Sequence, residues 1–199
     1  MSSRIVNVMV SISQLEAQLQ RVGGKHTDSL LRLAEKLSAD GPTIDQLIAL
    51  AERSDAPMQT AATWLLKHFQ SRNVSFAPAQ VTRLVEQLCS SGPWESRLHI
   101  MQMLSSLAIP AACTDQLFRS LVVALSERNK FVRAWAYTAL HSLASQHRGY
   151  AAEVIPLLDQ ASRDETASIR ARIRQLEPLD TDSTSSNIVR DAPSASSGS

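Results

Sequence analysis

The stretch Val132-Arg133-x-x-Ala136-x-x-Ala139-Leu140-x-x-Leu143 decides the fold of this chain. Its apolar residues recur three and four positions apart, which is the spacing of one face of an α-helix. The alanines on that face let a neighbouring helix approach closely. The stretch therefore predicts an amphipathic helix that packs against other helices.

The same pattern occurs three more times, at a spacing of 36 to 38 residues. Arg97 lies 36 residues before Arg133, and Arg170 lies 37 residues after it. The matching apolar positions in the other units are Met58, Ala62, Leu65, Leu66 and Phe69, then Ile100, Met103, Leu104 and Leu107, and finally Ile169, Ile173 and Leu176. A second apolar stripe precedes each of them, as Leu47 and Leu50, Val85 and Leu88, Val122 and Leu125, and Leu158 and Ala161. A repeat of this length predicts a row of stacked helix pairs.

Turn residues divide each predicted unit into two helices. The units cover 43–71, 77–109, 113–147 and 150–178. The turns within them read Asp55-Ala56-Pro57, Ser91-Gly92-Pro93, Glu127-Arg128-Asn129 and Arg163-Asp164-Glu165. One helix pair cannot bury its own apolar stripe, so we expect each unit to be covered by the next and the last unit to be more polar.

Two further segments flank this repeat domain at 43–178. Residues 1–42 predict an N-terminal helical cap or a degenerate repeat, with helices over Ile12–Val22 and from Thr27 to about Leu37. Gly23-Gly24 is expected to stop the first helix, and Gly41-Pro42 to break the chain before unit one. Residues 179–199 are rich in Ser, Asp and Ala without an apolar period, which predicts a disordered tail.

The pattern around Val132, Arg133, Ala136 and Leu140, with the short polar Asn129 three positions earlier, resembles the HEAT repeat of the armadillo-like α-solenoids. The resemblance covers about two thirds of the chain. It implies an all-α fold, a short right-handed α–α superhelix of about four helix pairs with the helical cap in front. Such folds usually hold another macromolecule, and the fold alone does not say which.

In that family an Asp at the turn and an Arg on the second helix often form a hydrogen-bonded ladder between units. The resemblance places Asp55 and Asn129 at the position of that Asp. It places Arg97, Arg133 and Arg170 at the position of the Arg. The chain departs from the pattern at Gln59, Pro93 and Thr166, so the ladder is expected to be incomplete. The alternative is that the arginines form a basic stripe that binds phosphates.

No motif predicts a catalytic, cofactor-binding or metal site. The five histidines form neither a His-x-x-x-His pair nor the His-Glu dipeptides of iron-binding HEAT-like hydroxylases. Gly23-Gly24-Lys25 lacks the spacing of a phosphate loop. An enzyme, as a lyase or glycosylase on this scaffold, stays the least favoured alternative.

Composition narrows the class of protein further. Hydrophobic residues make up 44% of the chain, and the net charge is only +1. No stretch has the length of a transmembrane helix and no signal sequence is recognised, so we expect a soluble cytoplasmic protein that does not act at a membrane. The 16 Arg against 4 Lys favour a bacterial origin.

The sequence therefore predicts a scaffold or protein–protein interaction module that binds a segment of another protein on the concave face of the solenoid. The alternative is nucleic-acid binding through the second helices that bear the arginines. The residues predicted for the partner-binding face are Trp64, Lys67, Met101, Gln102, Tyr137, Thr138, His141 and Arg174. Trp64, Met101, Tyr137 and Arg174 are expected to form one row across the four units, and Trp135 is expected in the core. The alternative to this row is scattered surface without a ligand.

Truncation after Leu179 should leave the melting temperature within about one degree of the full chain, because the tail has no apolar period that could join the core. Thermal unfolding followed by circular dichroism tests this. A loss of several degrees would show that the tail docks on the repeat domain.

Overall fold

The computed structural model describes residues 11–22, 27–53, 55–90 and 92–179, and within these ranges the chain is all-helical with no strand. The ten α-helices, in chain order, are α1 (Ile12–Val22), α2 (Thr27–Ala34), α3 (Gly41–Ala51), α4 (Ala56–Ser71), α5 (Pro78–Cys89), α6 (Trp94–Leu104), α7 (Thr114–Ala124), α8 (Lys130–Gln146), α9 (Ala151–Asp164) and α10 (Ala167–Ile173). Short 3₁₀ turns at Ala111–Cys113 and Arg148–Tyr150 precede α7 and α9. The predicted stop at Gly23-Gly24 and the tail beyond Leu179 lie outside the described residues.

The helix pairs follow one another in a regular order of contacts. Each predicted unit supplies one pair, α3 with α4, α5 with α6, α7 with α8, and α9 with α10. Among the second helices of the pairs, α4 packs on α6, α6 on α8, and α8 on α10. Among the first helices, α3 packs on α5 and α5 on α7. The helices α1 and α2 both pack on α4.

Polar caps set where several helices begin. The side chain of Asp40 accepts a hydrogen bond from the Thr43 amide at 2.9 Å and caps α3. Helix α3 therefore starts at Gly41, and the expected break at Gly41-Pro42 is wrong. Pro42 lies in the first turn, where a helix does not need the amide proton that proline lacks. Asn73, with a φ of 64°, follows the last turn of α4 in the left-handed conformation that often ends a helix.

The apolar stripe that defines the repeat is buried. Ala62, Leu66, Ile100, Ala136 and Leu140 are each 0% exposed. At α10 the stripe is covered less well. Ile169 is 1% exposed, whereas Ile173 at the end of α10 and Leu176 beyond it are only half-buried. Since no described helix packs beyond α10, the last unit has the more polar character expected of an end.

The N-terminal helices α1 and α2 add to the core through their contacts with α4. Leu15, Leu19 and Leu30 are at most 1% exposed and belong to the same hydrophobic cluster as the repeat core. None of the described helices is both long and apolar enough to cross a lipid bilayer.

Leu140→Ala should lower the free energy of unfolding by about 2–5 kcal/mol, because the lost methyl groups leave a cavity between packed helices. Leu140 is 0% exposed, whereas Leu31, on α2, is 38% exposed. Leu31→Ala is therefore the matched control and should cost much less. Urea denaturation of both variants tests the register of α8, which would be wrong if Leu140→Ala were no more costly than the control.

Candidate functional site

The second helices present one side on which none of the described helices packs, and we call it the open face. Its side chains are half-buried rather than exposed. They are Thr60, Trp64, Lys67 and His68 on α4, Leu98, His99 and Gln102 on α6, Ala134, Trp135, Thr138 and His141 on α8, and Arg172 on α10. The outer side of the first helices is more accessible to solvent, since Glu86, Asp115 and Arg119 there are exposed. Neighbouring second helices therefore partly shield the open face.

The predicted row of Trp64, Met101, Tyr137 and Arg174 is wrong as a continuous exposed surface. Met101 is 0% exposed and Tyr137 only 8%, so both lie in the core. By the repeat spacing they belong with Thr63, which is 0% exposed. The prediction took Met101 and Tyr137 one residue too early in the repeat. One residue along a helix is a rotation of about 100°, so two of the four predicted residues lie on the buried side.

Repeat spacing places Gln102, Thr138 and Gln175, each one residue further on, in line with Trp64. Trp64, Gln102 and Thr138 are half-buried on the open face, as are the predicted residues Lys67 and His141. Arg174 is exposed because no described helix covers the end of the array. Five of the eight predicted residues thus lie on one face.

An aromatic stack and an unpaired lysine occupy the open face of α4. The rings of Trp64 and His68 are parallel within 6°, with centroids 5.3 Å apart. Burial lowers the pKa of His68, and the positive charges of Arg72 and Lys67 add to this effect. Burial also lowers the pKa of the Lys67 ammonium. Within the described part of the chain, Lys67 forms no ion pair.

His99 connects α6 to α4 as a neutral imidazole. The hydroxyl of Thr63 donates to the Gln59 carbonyl at 2.8 Å, which leaves its oxygen to accept from His99 Nδ1–H at 3.1 Å. Burial, with a smaller effect from Lys67, lowers the pKa of His99 to about 3. The unfolded chain takes up this proton below pH 6.5, so His99 makes the fold less stable as the pH falls from 6.5 towards 3.

Gln102 carries a buried acceptor without a partner. Its Oε1 atom has no hydrogen bond among the described residues, although it is shielded from solvent. Two hydrogen bonds join the facing helices on either side of this level, Thr63 with His99 and Gln70 with Ser106, the latter at 2.7 Å. Lys67 and Gln102 lie between these two bonds along α4 and α6, and therefore at the same level of the neighbouring helices.

Arg172 and Trp135 continue the open face over α8 and α10, and two exposed rings lie beside it. The guanidinium of Arg172 lies 4.0 Å from the ring centroid of Trp135. Trp135 was expected in the core, but it packs against the core while remaining half-buried. In the first turns of α6 and α8, Trp94 is 43% exposed and Phe131 is 55% exposed. Sequence reasoning missed Phe131, although an aromatic residue off the apolar stripe was a usable signal.

His141 contacts the chain's own C-terminal segment. Its Nε2 atom lies 2.6 Å from the Glu177 carbonyl. Together with Ala144, Ser145 and Arg148, it lines a cavity of about 440 Å³ that residues 175–179 close from the other side. His141 therefore lies at the edge of the open face, where the described chain ends.

The arginines of the repeat form ion pairs from one unit to the next. Arg133 binds both carboxylate oxygens of Glu165, at 2.8 and 3.0 Å, and also donates to the Glu127 carbonyl at 2.8 Å. Arg97 pairs with Glu127 through a single contact, from Nη1 to Oε1 at 2.5 Å. Arg170 donates to the Arg163 carbonyl of its own turn at 3.4 Å.

The predicted acid partners of this ladder were wrong. Asp55 and Asn129 instead cap α4 and α8, where they accept from the amides of Met58 and Phe131. The glutamates that bind arginine lie at or next to the predicted turns. In unit one Gln59 replaces the arginine and donates to the Arg53 carbonyl of its own turn.

No protein-family model and no curated protein matched the sequence. Among the described residues no three His, Cys, Asp or Glu side chains are grouped so that they could hold a metal ion.

Glu165→Gln should lower the free energy of unfolding by about 1–2 kcal/mol at neutral pH, because the amide keeps only one neutral acceptor and leaves the charge of Arg133 without a counter-ion. Hydrogen bonds from Arg133 lower the pKa of Glu165 from 4.5. The carboxylate therefore stabilises the fold above pH 4.5, and this contribution is lost as the pH falls through the lowered pKa.

Urea denaturation across that pH range measures the difference between the variant and the wild type, which should shrink in acid. Glu153→Gln, at an exposed position in the first turn of α9, is the control and should cost only a few tenths of a kcal/mol, about the small contribution of an exposed carboxylate near a helix N-terminus. A difference that stayed constant into strong acid would contradict the ion pair.

Proposed function

We propose that the chain is a HEAT-like α-solenoid that works as a protein-binding module. In this proposal the second helices line the concave side, and a segment of a partner protein lies across the open face. The half-burial of that face carries the proposal. Side chains that no described helix covers are nevertheless shielded by their neighbours, as they are in a groove.

The residue types on this face support a protein partner. Trp64 and Trp135 lie on it, and tryptophan is among the residues that contribute most to binding at protein interfaces. Each is only half-buried, so each has surface that a partner can still cover. Trp64 is held by the stack with His68, and Trp135 by the cation of Arg172, so neither ring has to be ordered on binding.

Nucleic-acid binding is the second candidate, because the second helices are rich in basic residues. The ion pairs weigh against it. Of the three arginines on which the phosphate-binding alternative depended, Arg97 and Arg133 are bound to Glu127 and Glu165. The third, Arg170, only donates to a carbonyl of its own turn. A phosphate would have to displace a bidentate carboxylate from Arg133. A cytoplasmic location and a non-enzymatic role belong to the same proposal.

A photo-crosslinking amino acid placed at Leu98 tests the protein-binding function. Leu98 is a half-buried apolar residue on the open face of α6, so a large aromatic probe fits its character. In native lysate this variant should form discrete protein adducts that survive nuclease treatment. Adding Trp64→Ala should reduce their yield about tenfold, as expected for the loss of one interface anchor.

The matched control carries the probe at Gln116, an exposed position on α7 away from the open face. It should give no adduct above background. Equal adducts at both positions would reject the open face as the binding site. Adducts at Leu98 that disappear with nuclease would favour the nucleic-acid function instead.

A further inference from the structure

The two layers of helices carry opposite charge. The second helices α4, α6, α8 and α10 contain one acidic residue, Glu95, and six basic residues, Lys67, Arg97, Lys130, Arg133, Arg170 and Arg172. The first helices α3, α5, α7 and α9 contain six acidic residues, Asp45, Glu86, Asp115, Glu153, Asp159 and Asp164, and three basic ones, Arg83, Arg119 and Arg163. The net charge of the whole chain is only +1, so the asymmetry is local. The side of the fold that bears the open face is the basic one.

Lys67 on α4 and Arg172 on α10 are the basic residues of the open face that have no carboxylate partner among the described residues, and Arg172 already lies on the ring of Trp135. Arg97 and Arg133 are paired with glutamates, and Lys130 is exposed in the first turn of α8. Lys67 is half-buried and has no carboxylate within ion-pair distance among the described residues. A desolvated ammonium without a counter-ion is unfavourable, and burial lowers its pKa. A carboxylate brought by a ligand would restore the favourable interaction.

Trp64 lies three residues before Lys67 on the open face of α4, so its half-buried ring offers apolar surface beside the cation. A ligand that covers both groups carries a carboxylate and apolar side chains. Those are the groups of an acidic peptide segment. A nucleic acid would bring phosphate in place of the carboxylate and would have to compete with the glutamates bound to Arg97 and Arg133.

We propose that the partner segment is an acidic peptide in extended conformation, which pairs a carboxylate with Lys67. Apolar side chains of the same segment then pack on Trp64 and Trp135. The three steps between α4 and α10, each about 10 Å, are spanned by about nine extended residues at about 3.3 Å each. This inference rests on the proposed function and names the chemistry of the partner.

Selection from a library of random peptides of about twelve residues tests the inference, because such peptides are long enough to cross the four second helices. Peptides selected on the full chain should be enriched in Asp or Glu at one position and in apolar residues beside it. Lys67→Met should remove the acidic enrichment, and the consensus peptide should bind this variant at least about tenfold more weakly.

Three matched measurements isolate the charge of Lys67. Lys67→Arg keeps the charge and should bind the consensus peptide within about threefold of the wild type. Lys130→Met removes an exposed lysine from the same layer and should leave affinity within about twofold. Circular dichroism checks that each variant is folded. If Lys67→Met does not fold, Lys67→Arg still tests whether the positive charge at this position is enough for binding.

The outcomes separate this inference from the proposed function. Peptides that bind the open face without acidic enrichment, or with enrichment unchanged by Lys67→Met, would overturn the acidic partner and leave the protein-binding function standing. Selection of no peptide that competes with a label at Leu98 would overturn both. Binding of single-stranded oligothymidylate that depends on Lys67, without peptide binding, would identify a nucleic acid as the ligand and overturn the inference.

Discussion

The whole structure depends on the fact that a helix pair of about 37 residues cannot cover its own apolar face. Each unit must be covered by the next, and the polar contacts follow the same rule. Thr63 with His99 and Gln70 with Ser106 are each 36 residues apart. His147 and the Ile109 carbonyl, 38 residues apart, are another pair of this kind. The core and its hydrogen bonds are therefore both set by one period in the sequence.

The arginine ladder shows how that period also fixes the turns. Arg133 reaches back to the Glu127 carbonyl of its own turn and forward to the Glu165 carboxylate of the next. One side chain thus holds two turns at a set distance. Because the second helices start from these turns, the ladder also holds the helices that carry the open face in register. A charged pair of this kind specifies the alignment of units that apolar packing alone would leave less well defined.

The helices and the buried stripe could be predicted from the sequence because helical periodicity is a local property. Ala136 and Leu140 were assigned to the core and are buried there. The open face was predictable only in part. Met101 and Tyr137 were predicted on the open face with a register that was wrong by one residue, and in the structure both are buried. The half-burial of Trp135 and the contact of His99 with Thr63 depend on how closely neighbouring helices approach, and no single helix encodes that distance.

The positions of the tryptophans have an optical consequence. The three tryptophans of the chain are Trp64 on α4, Trp94 on α6 and Trp135 on α8. All three therefore lie on successive second helices, and none lies on a first helix. Light absorbed selectively by indole therefore excites only the layer of second helices, which is the basic one. The first helices contain no tryptophan and do not contribute to this emission. With Trp64 against an imidazole and Trp135 beneath a guanidinium, the intrinsic emission of the chain reports the state of one side of the fold, without any added label.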